Sequence, residues 1–256
     1  MSDAEEILRV ESVGHRFGGV AALARVSFQA RGTEVTSIIG PNGAGKTTLF
    51  NVVTGFLRPH QGQVSYRGES LLGLRPYQVA ERGLIRTFQR TSLFAGVSVR
   101  DNLLIALHRQ GSTGLLDALL RRPRVRAENA RLADRADQIL ALMGLSHRAS
   151  HLAGALPYGE QRLLEIAIAL AANPRLLLLD EPAAGLNPAE RAGLVELIRH
   201  IRAQGIGVVL VEHDMRLVMG ISDSVVCLDH GQVVCQGSPD LVQAHPEVIR
   251  AYLGTT

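Results

Sequence analysis

The stretch that decides the fold is Gly40-Pro41-Asn42-Gly43-Ala44-Gly45-Lys46-Thr47, with Thr48 directly after it. An apolar segment, Glu34 to Ile39, precedes it and predicts a strand, and the segment from Lys46 to about Val53 predicts a helix that Gly55 ends. Glycines at this spacing let backbone N–H groups turn around an anion, and the helix N-terminus adds its partial positive charge. The stretch therefore predicts a phosphate-binding loop of the P-loop type.

The side chains of this loop predict what it binds. Lys46 is the single lysine among 27 basic residues, and a compact ammonium on a flexible stem suits a phosphate cradle. We expect Lys46 to reach the β- and γ-phosphates of a nucleotide and the Thr47 hydroxyl to coordinate Mg²⁺.

Two other predicted strands end in polar side chains. The apolar run Leu176 to Leu179 is followed by Asp180 and Glu181, and Gly207 to Val211 is followed closely by His213. Ligands of open α/β sheets bind at the carboxyl ends of strands. Asp180 therefore suits Mg²⁺, directly or through water, Glu181 suits orienting or deprotonating the attacking water, and His213 suits sensing the γ-phosphate. Taken alone, an Asp-Glu pair after a strand is more often a helix cap and a single histidine more often structural, but the P-loop reverses these odds.

The remaining pattern predicts a three-layer α/β core interrupted by a helical lobe. Residues 1–92 and 156–256 are assigned to the core and residues 93–155 to the lobe. The other predicted strands and helices are Leu8 to Val13, Val26 to Ala30, a helix capped by Ser98, a helix from Arg124 to Met143, a helix from Pro188 to about Ala203, a hairpin of Val225 to Leu228 with Gln232 to Cys235, and a terminal helix capped by Ser238.

Composition excludes several classes of protein. Of the 256 residues, 46% are apolar, 20% charged and 4% aromatic, which rules out disorder, collagen and a disulfide scaffold. Apolar runs are too short for a bilayer span, and the acidic start, Met1 to Glu6, is unlike a secretory signal, so a cytoplasmic location is expected. The net charge of +3 does not call for a nucleic acid partner. The hairpin register is expected to pair Cys227 with Val234, which places the thiols of Cys227 and Cys235 on opposite faces, argues against a disulfide and favours two core thiols.

These motifs together resemble the ATP-binding subunits of ABC transporters, and the resemblance covers nearly the whole chain. Gly40 to Thr48 is similar to Walker A and Leu176 to Asp180 to Walker B. The fold that the resemblance implies is α/β, a P-loop NTPase (RecA-like) core with an N-terminal antiparallel β subdomain and an inserted helical subdomain. It also implies individual roles: adenine stacking for Phe17, the Q-loop and a metal contact for Gln89 in Arg86-Thr87-Phe88-Gln89, the catalytic glutamate for Glu181, and the switch histidine for His213.

Two motifs depart from the family pattern. The signature, usually Leu-Ser-Gly-Gly-Gln, is here Leu156-Pro157-Tyr158-Gly159-Glu160. Pro157 has neither a hydroxyl nor an N–H to donate, so contact with a γ-phosphate in trans must come from later backbone amides and the helix that begins near Gly159. The D-loop carries Asn187 where aspartate is usual, and Tyr158 also has a plain packing interpretation.

The departures match one subfamily, the ATPase subunits of branched-chain amino acid importers. The strings that carry this resemblance are Leu-x-Tyr-Gly at the signature, Asp180 to Pro188, Arg86 to Gln89, and the ending Tyr252-Leu253-Gly254. The resemblance implies hydrolysis of MgATP in a head-to-tail dimer with a copy or a paralogue, two permease subunits, an extracytoplasmic substrate-binding protein, and a peripheral position on the cytoplasmic face of the membrane. A coupling helix of the permease is expected near Leu93, Phe94 and Val97.

Three alternatives stay open. Relatives that import urea or amides look similar, so the substrate is not fixed by these motifs. A soluble ABC-type ATPase acting on nucleic acid or ribosomes is a second alternative, although such proteins tend to carry two ATPase halves or a long coiled coil. A catalytically silent, nucleotide-gated scaffold is a third, which Pro157 and Asn187 favour and Glu181 and His213 oppose.

Overall fold

The computed structural model describes residues 6–87, 93–108 and 123–253. The strands are β1 Glu6–Phe17, β2 Val20–Arg31, β3 Val35–Ile39, β4 Gln61–Tyr66, β5 Glu69–Ser70, β6 Leu84–Arg86, β7 Leu176–Asp180, β8 Gly207–Val211, β9 Ser224–Asp229 and β10 Gln232–Gly237. The helices are α1 Lys46–Val53, α2 Pro76–Glu81, α3 Val99–His108, α4 Pro123–Leu142, α5 Tyr158–Ala171, α6 Pro188–Ala203, α7 Met215–Ile221, α8 Pro239–Ala244 and α9 Pro246–Leu253.

The strands form two sheets. The first has four strands in the order β2-β1-β4-β5, and its pairs are antiparallel. The second has six strands in the order β10-β9-β3-β8-β7-β6, with parallel pairing from β9 to β6 and an antiparallel hairpin of β9 and β10. This arrangement confirms the predicted α/β core with an N-terminal antiparallel β subdomain.

The central strands are mostly apolar because they are covered on both faces. All five residues of β3, of β7 and of β8 are buried. The register places Ile38 and Asp180 each beside Val211, so the carboxyl ends of β3, β8 and β7 lie at the same level. This edge of the sheet is where the polar residues that follow the three strands come together.

The described residues fall into two compact units. One contains those up to Arg86 and those from Arg175 onward, and the other contains those from Thr87 to Pro174. Residues 156–174, which include α5, are predicted to belong to the core, but α5 contacts α3 and α4 within the second unit. In α4 and just beyond it the predicted apolar face is buried: Leu132, Ala136, Ile139, Leu140 and Met143.

Two predictions at the C-terminal end are wrong. Residue Cys227 pairs with Cys235, not with Val234, because a β-bulge between Val233 and Cys235 shifts the register by one residue. Directly paired residues lie on the same face, so the argument from opposite faces fails, although both thiols are free. The predicted single terminal helix is two helices, since Pro246 holds the residue before it in extended backbone and starts α9.

Across the described part of the chain, every helix is too short or too polar to cross a bilayer.

Candidate functional site

The loop between β3 and α1 is shaped by three glycines with positive φ. Their φ angles are 150° at Gly40, 84° at Gly43 and 102° at Gly45. A Cβ on Gly40 would lie 2.1 Å from the backbone oxygen of Leu228, and one on Gly45 would lie 2.5 Å from that of Ala22. Side chains at these two positions would therefore displace the backbone that supports the loop, which is the physical reason for glycine here.

Lys46 begins α1 and lies beneath the loop. Its Nζ donates hydrogen bonds to the backbone oxygens of Gly40 at 2.7 Å and Pro41 at 3.0 Å. Because an ammonium has three donors, one N–H remains for a phosphate oxygen after these two contacts. Burial lowers the pKa of Lys46, and the carboxylates of Glu181 and Asp180 oppose that shift. The ammonium thus lies close enough to both carboxylates for their charges to act on it.

Two segments from elsewhere in the chain form hydrogen bonds with the phosphate loop. The N–H of Gly231, in the hairpin turn, donates to the oxygen of Ala44 at 3.0 Å. The N–H of Gly40 donates to the hydroxyl of Tyr252, in α9, at 2.8 Å. Burial raises the pKa of Tyr252 to about 12, so its hydroxyl is protonated at neutral pH. The C-terminal helix is therefore bonded to the first residue of the phosphate loop.

Glu181 follows β7 in an uncommon backbone conformation. Its φ is 48°, in the left-handed region, and its N–H donates to the oxygen of Val211 at 2.9 Å. A non-glycine residue in the left-handed region is strained, and the conformation persists only where the surrounding structure holds it. Such residues are concentrated at functional sites. The residue is half-buried and follows β7, whose carboxyl end lies level with that of β3, where the phosphate loop begins. Its placement suits the predicted work on an attacking water.

Asp180 is buried and bonded at one oxygen only. Its Oδ2 accepts a hydrogen bond from Nη2 of Arg86 at 2.7 Å, and the side chain is 0% exposed. Its Oδ1 has no hydrogen-bond partner among the described residues. A buried carboxylate oxygen without a partner is costly unless a ligand or water supplies one. This oxygen fits a divalent cation or a water that the cation carries.

His213 is exposed, and its neighbour Glu212 is buried. The His213 side chain is 63% exposed, whereas that of Glu212 is 1% exposed. Glu212 accepts hydrogen bonds from the N–H groups of Ala183 at 2.8 Å and His213 at 3.1 Å. The Glu212 carboxylate thus joins the loop that follows Glu181 to the loop that carries His213. His213 itself is free to meet a ligand at the sheet edge.

Phe17 ends β1 with its ring 53% exposed. Its one described ring contact is edge-on to His15, with centroids 4.7 Å apart. His15 is in turn held by Arg58, whose backbone oxygen lies 3.0 Å from Nδ1. An exposed aromatic on a rigid strand can stack on a flat base, as the sequence predicts for adenine.

The segment Leu156 to Glu160 starts helix α5 within the second unit. Pro157 is the N-cap residue, so the helix begins at Tyr158, one residue before the predicted start. Glu160 is paired with Arg148, whose Nε lies 2.9 Å from its carboxylate. Tyr158 is half exposed, with the Arg162 guanidinium 5.6 Å from its ring centre, which agrees with a packing role.

Asn187 is the N-cap of α6. Its Oδ1 accepts hydrogen bonds from the N–H groups of Ala189 and Glu190, and Glu190 completes a capping box. The asparagine that replaces the usual aspartate therefore still caps the start of the helix.

The other predicted site residues differ in exposure. Asn42, Gly43 and Thr47 are exposed, Pro41, Gly45 and Thr48 are half-buried, and Gly40, Ala44 and Gly159 are buried. Gln89 lies outside the described residues.

Comparison with known proteins decides the family. The ABC transporter family matches residues 23–184, which include the phosphate loop, Asp180 and Glu181. The chain belongs to this family. A second family, the branched-chain amino acid ATP-binding cassette transporter, matches residues 232–256 at the C-terminal end.

Several known cassettes are similar to this chain over nearly its whole length. The high-affinity branched-chain amino acid transport ATP-binding protein LivG of Salmonella typhimurium is 45% identical over 98% of this chain and 99% of its own. BraF of Pseudomonas aeruginosa, named for the same transport, is 43% identical over 97% of this chain and 98% of its own. A crystal structure of an ATP-binding cassette of an ABC transporter in its ADP conformation has a TM-score of 0.85 and 32% identity, covering 98% of this chain and 100% of its own. The chain is therefore an ATP-binding cassette of a transporter.

Three positions of this cassette were not found from the sequence. Arg86, Glu212 and Tyr252 contact Asp180, Ala183 and Gly40 across the fold. Each lies next to a motif or a chain end, but no spacing rule connects it to its partner. The string Arg86 to Gln89 and the ending Tyr252 to Gly254 carry the resemblance to the subfamily, and Arg86 and Tyr252 gain a physical role from their contacts.

Proposed function

We propose that this cassette is the MgATP-hydrolysing subunit of an importer for branched-chain or other hydrophobic amino acids. The observation that carries the proposal is the shared sheet edge, where the phosphate loop with Lys46 lies beside Asp180 and Glu181. The names of the similar cassettes support the substrate class. The match of residues 232–256 to the branched-chain family adds support from a different part of the chain.

The phosphates of ATP are bound by backbone amides and one ammonium. The N–H groups of Gly43 and of Gly45 to Thr48 surround the phosphates, the remaining N–H of Lys46 is directed at the β- and γ-phosphates, and Phe17 stacks on adenine. The turn glycines and the αL conformation of Gly45 support this assignment, since they aim N–H groups into the loop. The set of residues is Phe17, Gly40, Pro41, Asn42, Gly43, Ala44, Gly45, Lys46, Thr47 and Thr48.

The residues present fit a magnesium ion held together with the nucleotide. In the described chain, no three histidine, cysteine or acidic side chains gather into a cation cage. Mg²⁺ bound with a nucleotide needs few protein ligands, since phosphates and waters supply the others. The Thr47 hydroxyl and Asp180 Oδ1 would hold it, and we assign Gln89 to the same ion. The ion would neutralise charge that develops on the phosphates.

Hydrolysis then depends on positioning. Glu181 orients and deprotonates the attacking water, and His213 bonds the γ-phosphate, both from the carboxyl ends of neighbouring strands. Glu212 supports both loops through its two accepted N–H bonds. These assignments follow the family pattern and the burial of each group.

The site is completed by a second cassette. In the proposed head-to-tail dimer, Leu156 to Glu160 of one subunit faces the phosphate loop of the other, and backbone amides at the start of α5 meet the γ-phosphate in place of a serine hydroxyl. The surface near Leu93, Phe94 and Val97, in the second compact unit, receives a coupling helix of a permease subunit. The assembly contains two permeases and an extracytoplasmic binding protein, lies at the cytoplasmic face of the membrane, and uses no nucleic acid.

Reconstitution tests the proposal. The cassette is co-purified with the permease and binding-protein subunits encoded beside it, and labelled leucine uptake into proteoliposomes is measured with MgATP inside. We expect uptake with MgATP and none with ADP. Uptake of urea or an amide but not of leucine, isoleucine or valine would contradict the substrate class, and ATP hydrolysis without any uptake would contradict the transport role.

A further inference from the structure

Arg86 connects three parts of the proposed site. It is the last residue of β6, beside Leu178 of β7, and its side chain is only 8% exposed. Its Nη2 donates to Asp180 Oδ2 at 2.7 Å, and its Nη1 donates to Asn51 Oδ1 at 2.7 Å. Asn51 lies in α1, the helix that starts with Lys46, so one guanidinium bonds both the phosphate-loop helix and the acid at the end of β7.

Phe50, in the same helix, and Thr54, its C-cap, also lie close to the guanidinium. The Phe50 ring centre lies 5.4 Å from Cζ of Arg86, and Thr54 Oγ1 lies 3.5 Å from Nη1. A guanidinium held by a carboxylate, an amide oxygen and an aromatic ring has little freedom to turn. Arg86 therefore keeps its position relative to both Asp180 and α1.

Arg86 and Asp180 are joined by a single hydrogen bond, although an arginine and a carboxylate can form two. An arginine and a carboxylate often pair through two parallel hydrogen bonds. Here one bond joins them, and both Nε of Arg86 and Oδ1 of Asp180 are buried without a partner among the described residues. A pair that served stability alone would gain by using both atoms. The geometry leaves Oδ1 for a further ligand.

We propose that Arg86 is a positioning residue for the magnesium site. It fixes Asp180 through Oδ2, so that Oδ1 is held toward the cation that accompanies ATP, and it sets the distance of this acid from the phosphate-loop helix through Asn51. The inference rests on the proposed function and goes beyond it, because no family motif assigns this role to Arg86. The purpose of the pair is to orient a carboxylate, not to bind the nucleotide.

The test compares nucleotide binding with and without magnesium. The dissociation constant of a fluorescent ATP analogue is measured on the full chain in EDTA and at increasing Mg²⁺, for wild type, Arg86→Gln and Arg86→Lys. Loss of a group that orients a metal ligand typically weakens the metal site about 10- to 100-fold. We expect Arg86→Gln to lose that much of the tightening by Mg²⁺ while its affinity in EDTA stays within about twofold of wild type, and Arg86→Lys to lose less.

Two further variants separate positioning from stability. Asp180→Asn should lose the same magnesium effect, and the double variant Arg86→Gln/Asp180→Asn should lose no more than either single variant, because both act through one carboxylate. Arg100→Gln is the control, since it removes the ion pair with Asp137, at 2.7 Å, in the other unit. It should keep the wild-type magnesium effect.

The possible results separate a failure of this inference from a failure of the proposed function. A wild-type magnesium effect in both Arg86 variants would overturn the inference, as would equal weakening with and without Mg²⁺. If Arg86→Gln does not fold, as circular dichroism would reveal, Arg86→Lys decides, because it keeps the positive charge of the buried pair. A wild-type chain that binds the analogue equally in EDTA and Mg²⁺ would instead contradict the proposed magnesium site itself.

Discussion

At the scale of single residues, the site depends on a few side chains held by contacts from far along the chain. Glu181 is an example, since its left-handed φ of 48° is held by an N–H bond to Val211 in the next strand. A glutamate in such a conformation keeps its direction only while the neighbouring strand stays in register. Its carboxylate, not its backbone, is the group that we assign to catalysis.

The substitution Glu181→Gln tests that assignment. The amide preserves shape and backbone conformation but cannot accept the proton of water, so ATP binding should persist while turnover falls about 10²- to 10⁴-fold. Phosphate release by the assembled transporter and the ATP dissociation constant are measured side by side. Glu196→Gln is the matched control, because Glu196 is 71% exposed in α6. Hydrolysis at the wild-type rate by Glu181→Gln would remove Glu181 from the mechanism.

The two cysteines should differ in reactivity. Burial raises the pKa of Cys227 to about 11 and also raises that of the less buried Cys235. Only a thiolate reacts with iodoacetamide, so at pH 8 about one in a thousand Cys227 thiols is available. We expect mass spectrometry to find Cys235 modified first, and both modified equally in the denatured chain. Faster modification of Cys227 in the folded chain would refute the burial argument.

Sequence reasoning at this scale succeeded where the chemistry is contiguous. Gly40 to Thr48 is one unbroken motif, whereas Arg86 meets Asp180 at a separation of 94 residues, Ala183 meets Glu212 at 29, and Gly40 meets Tyr252 at 212. Contacts of that kind depend on strand order, which spacing does not encode. Arg86 and Tyr252 can be recognised as residues that support the site only when the positions of Asp180 and Gly40 in the fold are known.

At the scale of elements, the helix starts and the buried strands followed from local chemistry. Asn187 and Ser98 cap their helices, and β8 and β7 up to Leu179 are apolar because both faces are covered. The hairpin register failed since a bulge leaves no mark in the apolar pattern of β10. The elements β4, β5, α2, β6 and α7 were not predicted; β5 and β6 have only two and three residues, and β4 has only two apolar residues, Val64 and Tyr66.

The helix α9 gives a prediction at this scale. Tyr252→Phe removes only the hydroxyl that accepts the Gly40 N–H, so we expect a loss of about 1 kcal/mol of stability and weaker ATP binding. Thermal unfolding and ATP titration of the full chain measure both. The control is Tyr77→Phe, in α2, whose ring is 49% exposed. Unchanged ATP affinity in Tyr252→Phe would mean that α9 stabilises the fold without shaping the phosphate loop.

At the scale of the whole molecule, the chain is one cassette built from two compact units. In the unit that carries the phosphate loop, Lys46, Asp180, Glu181 and His213 lie at or just after the ends of three neighbouring strands of one sheet. The fold class was predictable because the phosphate loop with its strand and helix occurs in a definite kind of α/β core. The boundary of the helical unit was harder to predict. The apolar face of α5 indicates that the helix is covered, but the sequence does not indicate by which unit.

The central claim is that this sheet edge binds ATP through Lys46 and the amides around it. Isothermal titration of MgATP into the wild-type chain and into Lys46→Ala tests it most directly, with Arg9→Ala, on the exposed side of β1, as control. A charged hydrogen bond contributes about 1.5–3 kcal/mol, so Lys46→Ala should weaken binding about 10- to 100-fold while the control binds as wild type does. Equal affinity of Lys46→Ala and wild type for MgATP would contradict the account.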